Sequence, residues 1–299
     1  MRPRRSDRLL IACNSGDISG EKMRRTASVP ARINIIGEHT DRFGGLALSF
    51  PSQHRLVLSA SSSSTLTGDD PTLVRLWNAA RGWDAELTIQ SEIPIGAGMS
   101  SSAALCVAVA MCSQNHDNMM AVSLEAQRIE HEILGSDCGL LDQIAITHPT
   151  SGQAALIDFD GMSVTDFKIP PDWLFKLVDS GIRRNLGETN YNSTEVCPEM
   201  REMHALLESD RVREALHCDV NRLGKILNQS HASIRDNIRA STPAIDSLVR
   251  EIQDTPGVLG ARLMGGGHGG MILALIENEK ALPGELLVPS ESAFIEESV

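Results

Sequence analysis

The segment SSAALCVAVAMCSQ (101–114) carries apolar side chains on nearly every face of a helix. Such a helix has no side to turn toward water, so it must run through a core. The rest of the chain has to cover it, and 299 residues suffice for one large domain or two of ordinary size. The residues leading into this helix are PIGAGMSSSAAL (94–105), with Gly96 and Gly98 ahead of Ser100, Ser101 and Ser102. Glycine lets a backbone come close to a ligand with no Cβ in the way. A helix N-terminus offers unbonded N–H groups and the positive end of a dipole, which together attract anions. A phosphate-cradling loop and a Gly turn with a Ser cap account for the stretch about equally well, although a cap needs one Ser and here there are three. The chain contains no G-x-x-x-x-G-K-[ST] run, so this is not a Walker loop.

A second stretch concentrates polar chemistry. Ile35-Ile36-Gly37-Glu38-His39-Thr40-Asp41 puts Glu, His and Asp within four residues, after Arg32 and before Gly44-Gly45. Carboxylates accept hydrogen bonds and imidazole can give or accept, so this set suits a ligand with several hydroxyl groups. Further on, CGLLDQIA (138–145) holds Asp142, and the helical stretch before it holds Glu130. Taken singly, Asp142 also reads as a helix-cap residue and Glu130 as part of a solvated helix face. Tyr191 is the only tyrosine. It suits either a half-buried core position or the cover of a ligand's apolar face.

The patterning predicts strands at RINIIG and RLVLSA with a turn at Gly44-Gly45, and further strands at RLWNAA and AELTIQSEI. SSSSTLTGDDP (61–71) reads as a polar connector. SLEAQRIEHEIL (123–134) has helical period. Strands are expected at 153–158 and 174–178, and residues 199–250 read as mostly helical with a break at Thr242-Pro243. Gly265 to Gly270 forms a loop between two more strands, GVLGARL and MILALIE. Helices and strands mix without regular βαβ alternation, which gives an α+β class. Turn composition puts a domain boundary near residue 150, separating 1–150 from 151–299.

Net charge is −12, from 27 basic and 39 acidic residues, with no basic stripe. That argues against nucleic acid and anionic membranes as partners. No apolar run reaches 18 residues. The start, MRPRRSDRLLIACNSGD, is too polar for a signal peptide and reads as a poorly ordered terminus. The six cysteines form no C-x-x-C pair, and Cys106 and Cys112 read as small core residues. A reduced, cytoplasmic protein without sulfur-bound metal is expected.

Three motifs in order carry a family resemblance. PARINIIGEHTDRFGG resembles the sugar-binding signature of galactokinases. PIGAGMSSSAA resembles the ATP-binding motif of the wider family of galactose, homoserine, mevalonate and phosphomevalonate kinases. ARLMGGGHGG (261–270) resembles that family's third, Gly-rich motif. SGIRRNLGETNYN and LNQSHASIRDNIRASTPAIDSLV resemble galactokinases specifically, so the likeness runs from about residue 28 to 275.

The resemblance implies a two-domain small-molecule kinase with its site in the cleft between domains. It implies ATP phosphates on Gly96, Gly98, Ser100, Ser101 and Ser102, and Mg²⁺ on Ser102 and Glu130. Glu38, His39, Asp41 and Tyr191 would bind the sugar. Asp142 would accept the proton of the anomeric hydroxyl with Arg32 beside it, and the product would be α-D-galactose 1-phosphate. A monomer or weak homodimer is expected.

Three positions depart from the family pattern. Ala31 stands where Gly is usual, Arg42 where Tyr is usual and His268 where Phe is common. A cation at position 42 suits an acidic or phosphorylated sugar. The alternatives are therefore a 1-kinase for arabinose, galacturonate or an amino sugar, or a regulator that binds galactose and ATP without turnover.

Overall fold

Strand β1 (Arg24–Ile36) runs along the middle of the molecule, and its second half, Ala31 to Ile36, is buried. This computed structural model describes residues 23–148, 152–183 and 196–298. The N-terminal residues expected to be poorly ordered lie outside them, as do Cys13 and Tyr191. β2 (Leu46–Ser62) returns antiparallel to β1 with Ile33 opposite Phe50. The connection is the tight turn around Asp41–Phe43, closed by Gly44 in the left-handed region.

β2 is the hub of a seven-stranded sheet. It pairs antiparallel with β4 (Ala85–Ser91) along one half and with β5 (Ala154–Asp158) along the other. β3 (Thr67–Gly68) and β6 (Ser163–Phe167) extend the two branches. The last strand, β10 (Phe294–Ser298), comes back to pair with β1 from Arg24 to Ser28. β5 and β6, which follow residue 150 in sequence, thus share a sheet with residues 24–91.

RLWNAA is not a strand. It belongs to helix α1 (Pro71–Ala79), whose first turn is capped by Asp70 accepting from Thr72 N at 2.7 Å. Asp at the cap and Pro at the first helical position are strong starting signals, and they outweigh the short apolar run. α2 (Ser101–Ser113) is the all-apolar helix, buried from Ala103 to Ser113 except at Leu105, which is partly covered. It packs against β1, β2, α1 and α3 (Met119–Ile129). α3 runs straight into a single π-helical turn at Glu130–Leu134, and α4 (Leu141–Thr147) follows.

The rest of the chain builds a three-stranded sheet, β7 (Leu174–Asp179), β9 (Met271–Ile276) and β8 (Val258–Leu263), in the order β7-β9-β8. Helices α6 (Val220–Asp236) and α7 (Pro243–Gln253) cover β8. The break at Thr242-Pro243 is the start of α7, with Thr242 Oγ1 accepting from Ile245 N. α5 (Pro198–Ala215) leans on α6 and on β1 and β2. Lys176 of β7 is buried, and its ammonium donates to the carbonyls of Glu279, Leu282 and Gly284 at 2.7 to 2.8 Å, tying down the segment after β9. Among the described residues no helix is long and apolar enough to cross a membrane.

Candidate active site

A cavity of about 650 Å³ brings together segments far apart in sequence. Arg32, Glu38, Asp41, Ser102, Glu130 and Asp142 all reach its wall. So do Gly96, Gly98, Ser100, Ser101 and His39, together with Gly265 and Gly266 of the third motif. Every described residue of the expected site is therefore in one place. Tyr191 lies outside the described residues.

Arg32 projects from buried β1 and is almost fully enclosed. Its Nε and one terminal nitrogen each meet Asp142 Oδ1 at 2.7 Å. Its other terminal nitrogen donates to Gly98 O at 3.0 Å, so one guanidinium spans the phosphate loop and the carboxylate. Asp142 stands in the first turn of α4 with its side chain partly open to the cavity.

Glu38 is buried and doubly paired. Arg262, itself wholly buried in β8, reaches Glu38 Oε1 at 3.3 Å, and Arg32 lies 3.8 Å from Oε2. Gly265 N donates to Glu38 Oε1 at 2.7 Å. Burial pushes the Glu38 carboxyl up, but the two guanidinium charges and the Gly265 N–H outweigh it and hold the pKa at about 2. Arg262 also donates to Ile35 O at 2.8 Å and to Asn34 O, locking β8 onto the end of β1.

Asp41 is half-buried against the start of α4, accepting from Leu141 N at 3.2 Å. Burial raises its pKa, the Leu141 N–H opposes the rise, and the charge of Asp142 adds to it. Glycine at 139 lets the chain pass against Asp41, since a Cβ there would fall on the Asp41 carboxylate. Arg42 turns to the rim and pairs with Asp137 at 2.6 Å. His39 and Ser100 both hold left-handed backbone, at φ 59° and 63°. Non-glycine residues in that region cost about 1–3 kcal/mol each and concentrate at functional sites.

The phosphate loop is pinned from both sides. Gly98 and Gly265 pass so closely that a Cβ on Gly98 would sit 2.8 Å from Met264 O. Met271 N donates to Ala97 O at 2.9 Å. The Ser100 hydroxyl is buried against the cavity with no hydrogen-bond partner among the described residues. An orphaned buried donor at a helix N-terminus fits a phosphate oxygen.

Ser102 Oγ donates to Glu130 Oε1 at 2.7 Å, and Gln143 Nε2 donates to Glu130 Oε2 at 2.8 Å. Glu130 opens the π-helical turn and is almost fully enclosed, with no ion-pair partner among the described residues. Burial raises its pKa, the Ser102 bond opposes the rise, and the Asp142 charge adds to it. A buried carboxylate beside a hydroxyl, with no cation against it, fits a hard divalent ion shared with phosphate oxygens. Among the described residues no cluster of three or more His, Cys, Asp or Glu side chains forms a cage of its own.

Sequence reasoning missed Arg262, Gln143, His204 and Glu208. Arg262 stood inside the third motif, ARLMGGGHGG, where a lone Arg in an apolar strand is itself a signal of a buried partner. The other three gave no such signal.

The chain is similar to known proteins in sequence and in fold. The galactokinase galactose-binding signature matches residues 17–62, the GHMP kinase N-terminal domain 72–149 and the GHMP kinase C-terminal domain 212–283. Galactokinase of Chloroflexus aggregans is 29% identical, over 87% of this chain and 86% of its own length. Among solved structures, Lactococcus lactis galactokinase, in complex with galactose, has a TM-score of 0.75 at 22% identity, covering 91% of this chain and 95% of that one. Methanococcus jannaschii mevalonate kinase has a TM-score of 0.65 at 17% identity, with 94% and 98% covered. The fold is that of the two-domain GHMP kinases. The chain belongs to the GHMP kinase family and is a sugar kinase of the galactokinase type.

Proposed function

We propose that the chain transfers the γ-phosphoryl group of ATP to the anomeric hydroxyl of D-galactose, giving α-D-galactose 1-phosphate and ADP. The observation that carries this reading is the Arg32–Asp142 pair, which opens on the cavity shared by the phosphate loop and the 37–42 loop. In this reading Glu38, His39, Asp41 and Tyr191 hold the sugar hydroxyls. A wall with several carboxylates offers acceptors and needs donors, which a neutral sugar supplies. Arg42 is already engaged by Asp137, so its charge does not call for an acidic sugar.

The phosphates lie along Gly96, Gly98 and Ser100 to Ser102, on the N-terminus of α2. Asp142 accepts the proton of the anomeric hydroxyl as its oxygen bonds to the γ-phosphorus and the bond to the bridging oxygen breaks. Transfer of this kind passes through a loose transition state, so placement and charge matter more than base strength. Arg32 holds Asp142 in place and faces the charge that develops on the sugar oxygen. Ser102 and Glu130 would hold Mg²⁺, which supplies charge neutralisation at the phosphoryl oxygens. The same reading places the enzyme in the cytoplasm, as a monomer or weak homodimer without nucleic-acid or membrane partners.

The test is ADP release with Mg-ATP across galactose, 2-deoxygalactose, galactosamine, arabinose, galacturonate, glucose and mevalonate. Selective turnover of galactose is expected. Preference for another sugar moves the substrate and keeps the mechanism. No turnover by folded protein overturns the reading in favour of a regulator.

A further inference from the structure

One face of α5 is committed to the 37–46 loop. His204 Nε2 donates to Glu38 O at 3.0 Å. One turn later Glu208 Oε1 accepts from Gly37 N at 3.3 Å. Ser209 Oγ accepts from Leu46 N at 3.0 Å. These contacts grip the loop's backbone at its start and its end. All three side chains are buried, His204 and Glu208 completely. None of their described hydrogen bonds goes to the phosphate loop.

The direction of the bonds follows from the partners. A carbonyl only accepts, so His204 Nε2 carries a proton. Asn237 Nδ2 donates to Ser233 Oγ at 2.9 Å, and Ser233 Oγ lies 2.8 Å from His204 Nδ1. That hydroxyl has its own proton left to give to the imidazole. The His204 ring also meets the His39 ring edge-on, with centroids 6.3 Å apart. Glu208 is fixed in turn by Ser230 Oγ and, at 2.7 Å, by Arg211.

We infer that His204 and Glu208 are positioning residues of the sugar site: from outside the cavity they hold the loop that carries Glu38, His39 and Asp41. They govern sugar binding without touching the sugar. The inference rests on the reading of 37–46 as the sugar loop.

His204→Phe keeps bulk and removes the donor, while His204→Gln keeps a donor. Two measurements apply: steady-state kinetics with whichever sugar the wild type turns over, and amide hydrogen exchange of peptides covering 36–46. In His204→Phe the KM for sugar is expected to rise about tenfold, the effect of one buried hydrogen bond lost. The KM for ATP stays within about twofold, and His204→Gln recovers most of the sugar KM. Exchange at 37–46 speeds up while peptides over 94–102 are unchanged. Equal rises in both KM values, or unaltered exchange at 37–46 in folded variant, overturns the inference. Should His204→Phe fail to fold, Ser233→Ala breaks the same relay and carries the same expectation at smaller size. A wild type that turns over no sugar sinks the functional reading alone, and the exchange measurement still decides the positioning role.

Discussion

Arg32 and Asp142 are 110 residues apart, yet two guanidinium nitrogens converge on one carboxylate oxygen at 2.7 Å. Asp142→Asn keeps the shape and loses the proton acceptor. A drop in kcat of about 10²–10⁴ is expected, the range for a positioned general base. Sugar affinity, measured by calorimetry, changes less than about fivefold because the group acts in the transition state. Undiminished turnover would remove Asp142 from the mechanism.

Glu130 is a buried carboxylate whose pKa is raised, first by burial. Its folded-state pKa lies above the unfolded one. Its contribution to stability is therefore present at pH below about 4.5 and lost as pH rises through the folded value. Glu130→Gln is expected to stabilise the unliganded protein at pH 7.5 by about 1 kcal/mol, by removing an uncompensated buried charge. The same variant loses the thermal shift that Mg-ATP gives the wild type. A loss of stability without ligand would contradict the absence of a neighbouring cation.

His204 and His231 are both lowered from 6.5, burial being the largest cause in each. The folded protein refuses protons that the unfolded chain accepts. Stability is thus full above about pH 6.5 and falls as pH drops toward the folded values, at up to ~1.4 kcal/mol per pH unit for each histidine. Urea unfolding at pH 5.5 and 7.5 measures the slope. His204→Gln should remove one histidine's share of it, and an unchanged slope would show that His204 does not titrate in this window.

Asp137 holds Arg42 at the rim of the cavity. The pair is half exposed, so Asp137→Ala should cost less than about 1 kcal/mol of stability. Arg42 keeps its hydrogen bond to the Asp137 carbonyl but loses the carboxylate, so its charge at the wall of the cavity is no longer neutralised. Turnover of galacturonate relative to galactose is expected to rise about tenfold, roughly 1.4 kcal/mol of new charge pairing. The ratio from a competition assay checks this, and no change would make Arg42 irrelevant to specificity.

Gly139 passes directly over Asp41. Gly139→Ala must push Asp41 or the turn before α4 aside. Sugar KM should rise more than about tenfold with ATP KM little altered, since only the sugar side is displaced. A wild-type sugar KM in that variant would show that the turn yields without cost.

Much of the site could be read from the chain because its chemistry is local. The glycines and serines of 96–102 precede a helix that can only be a core helix. Glu38, His39 and Asp41 are adjacent, and loops that grip ligands need such clusters. The strand expected at RLWNAA shows the opposite case: four apolar residues looked β-like, while Asp70-Pro71 just upstream held the stronger instruction. The β6 strand, half exposed and polar, gave no period to follow. His204, Glu208 and Gln143 were hidden for a different reason. A buried polar residue on a helix looks like a solvated one until its partner is known. For His204 and Glu208 that partner lies 166 to 171 residues away. Arg262 differs, since a lone Arg in an apolar strand is conspicuous, but its partner Glu38 is 224 residues away.

The pairing of β10 with β1 has a consequence for how the molecule is made. β1 lies between β2 and β10, and β10 begins at Phe294. During synthesis the chain leaves the ribosome N-terminus first, so β1 and β2 are available long before β10 exists. Through that interval the outer edge of β1 from Arg24 to Ser28 is an open row of backbone donors and acceptors, the kind of edge that recruits foreign strands. Closure of the sheet along β1 is then a late event, after the other strands of that sheet have emerged. Until β10 arrives, that edge is open to wrong pairing.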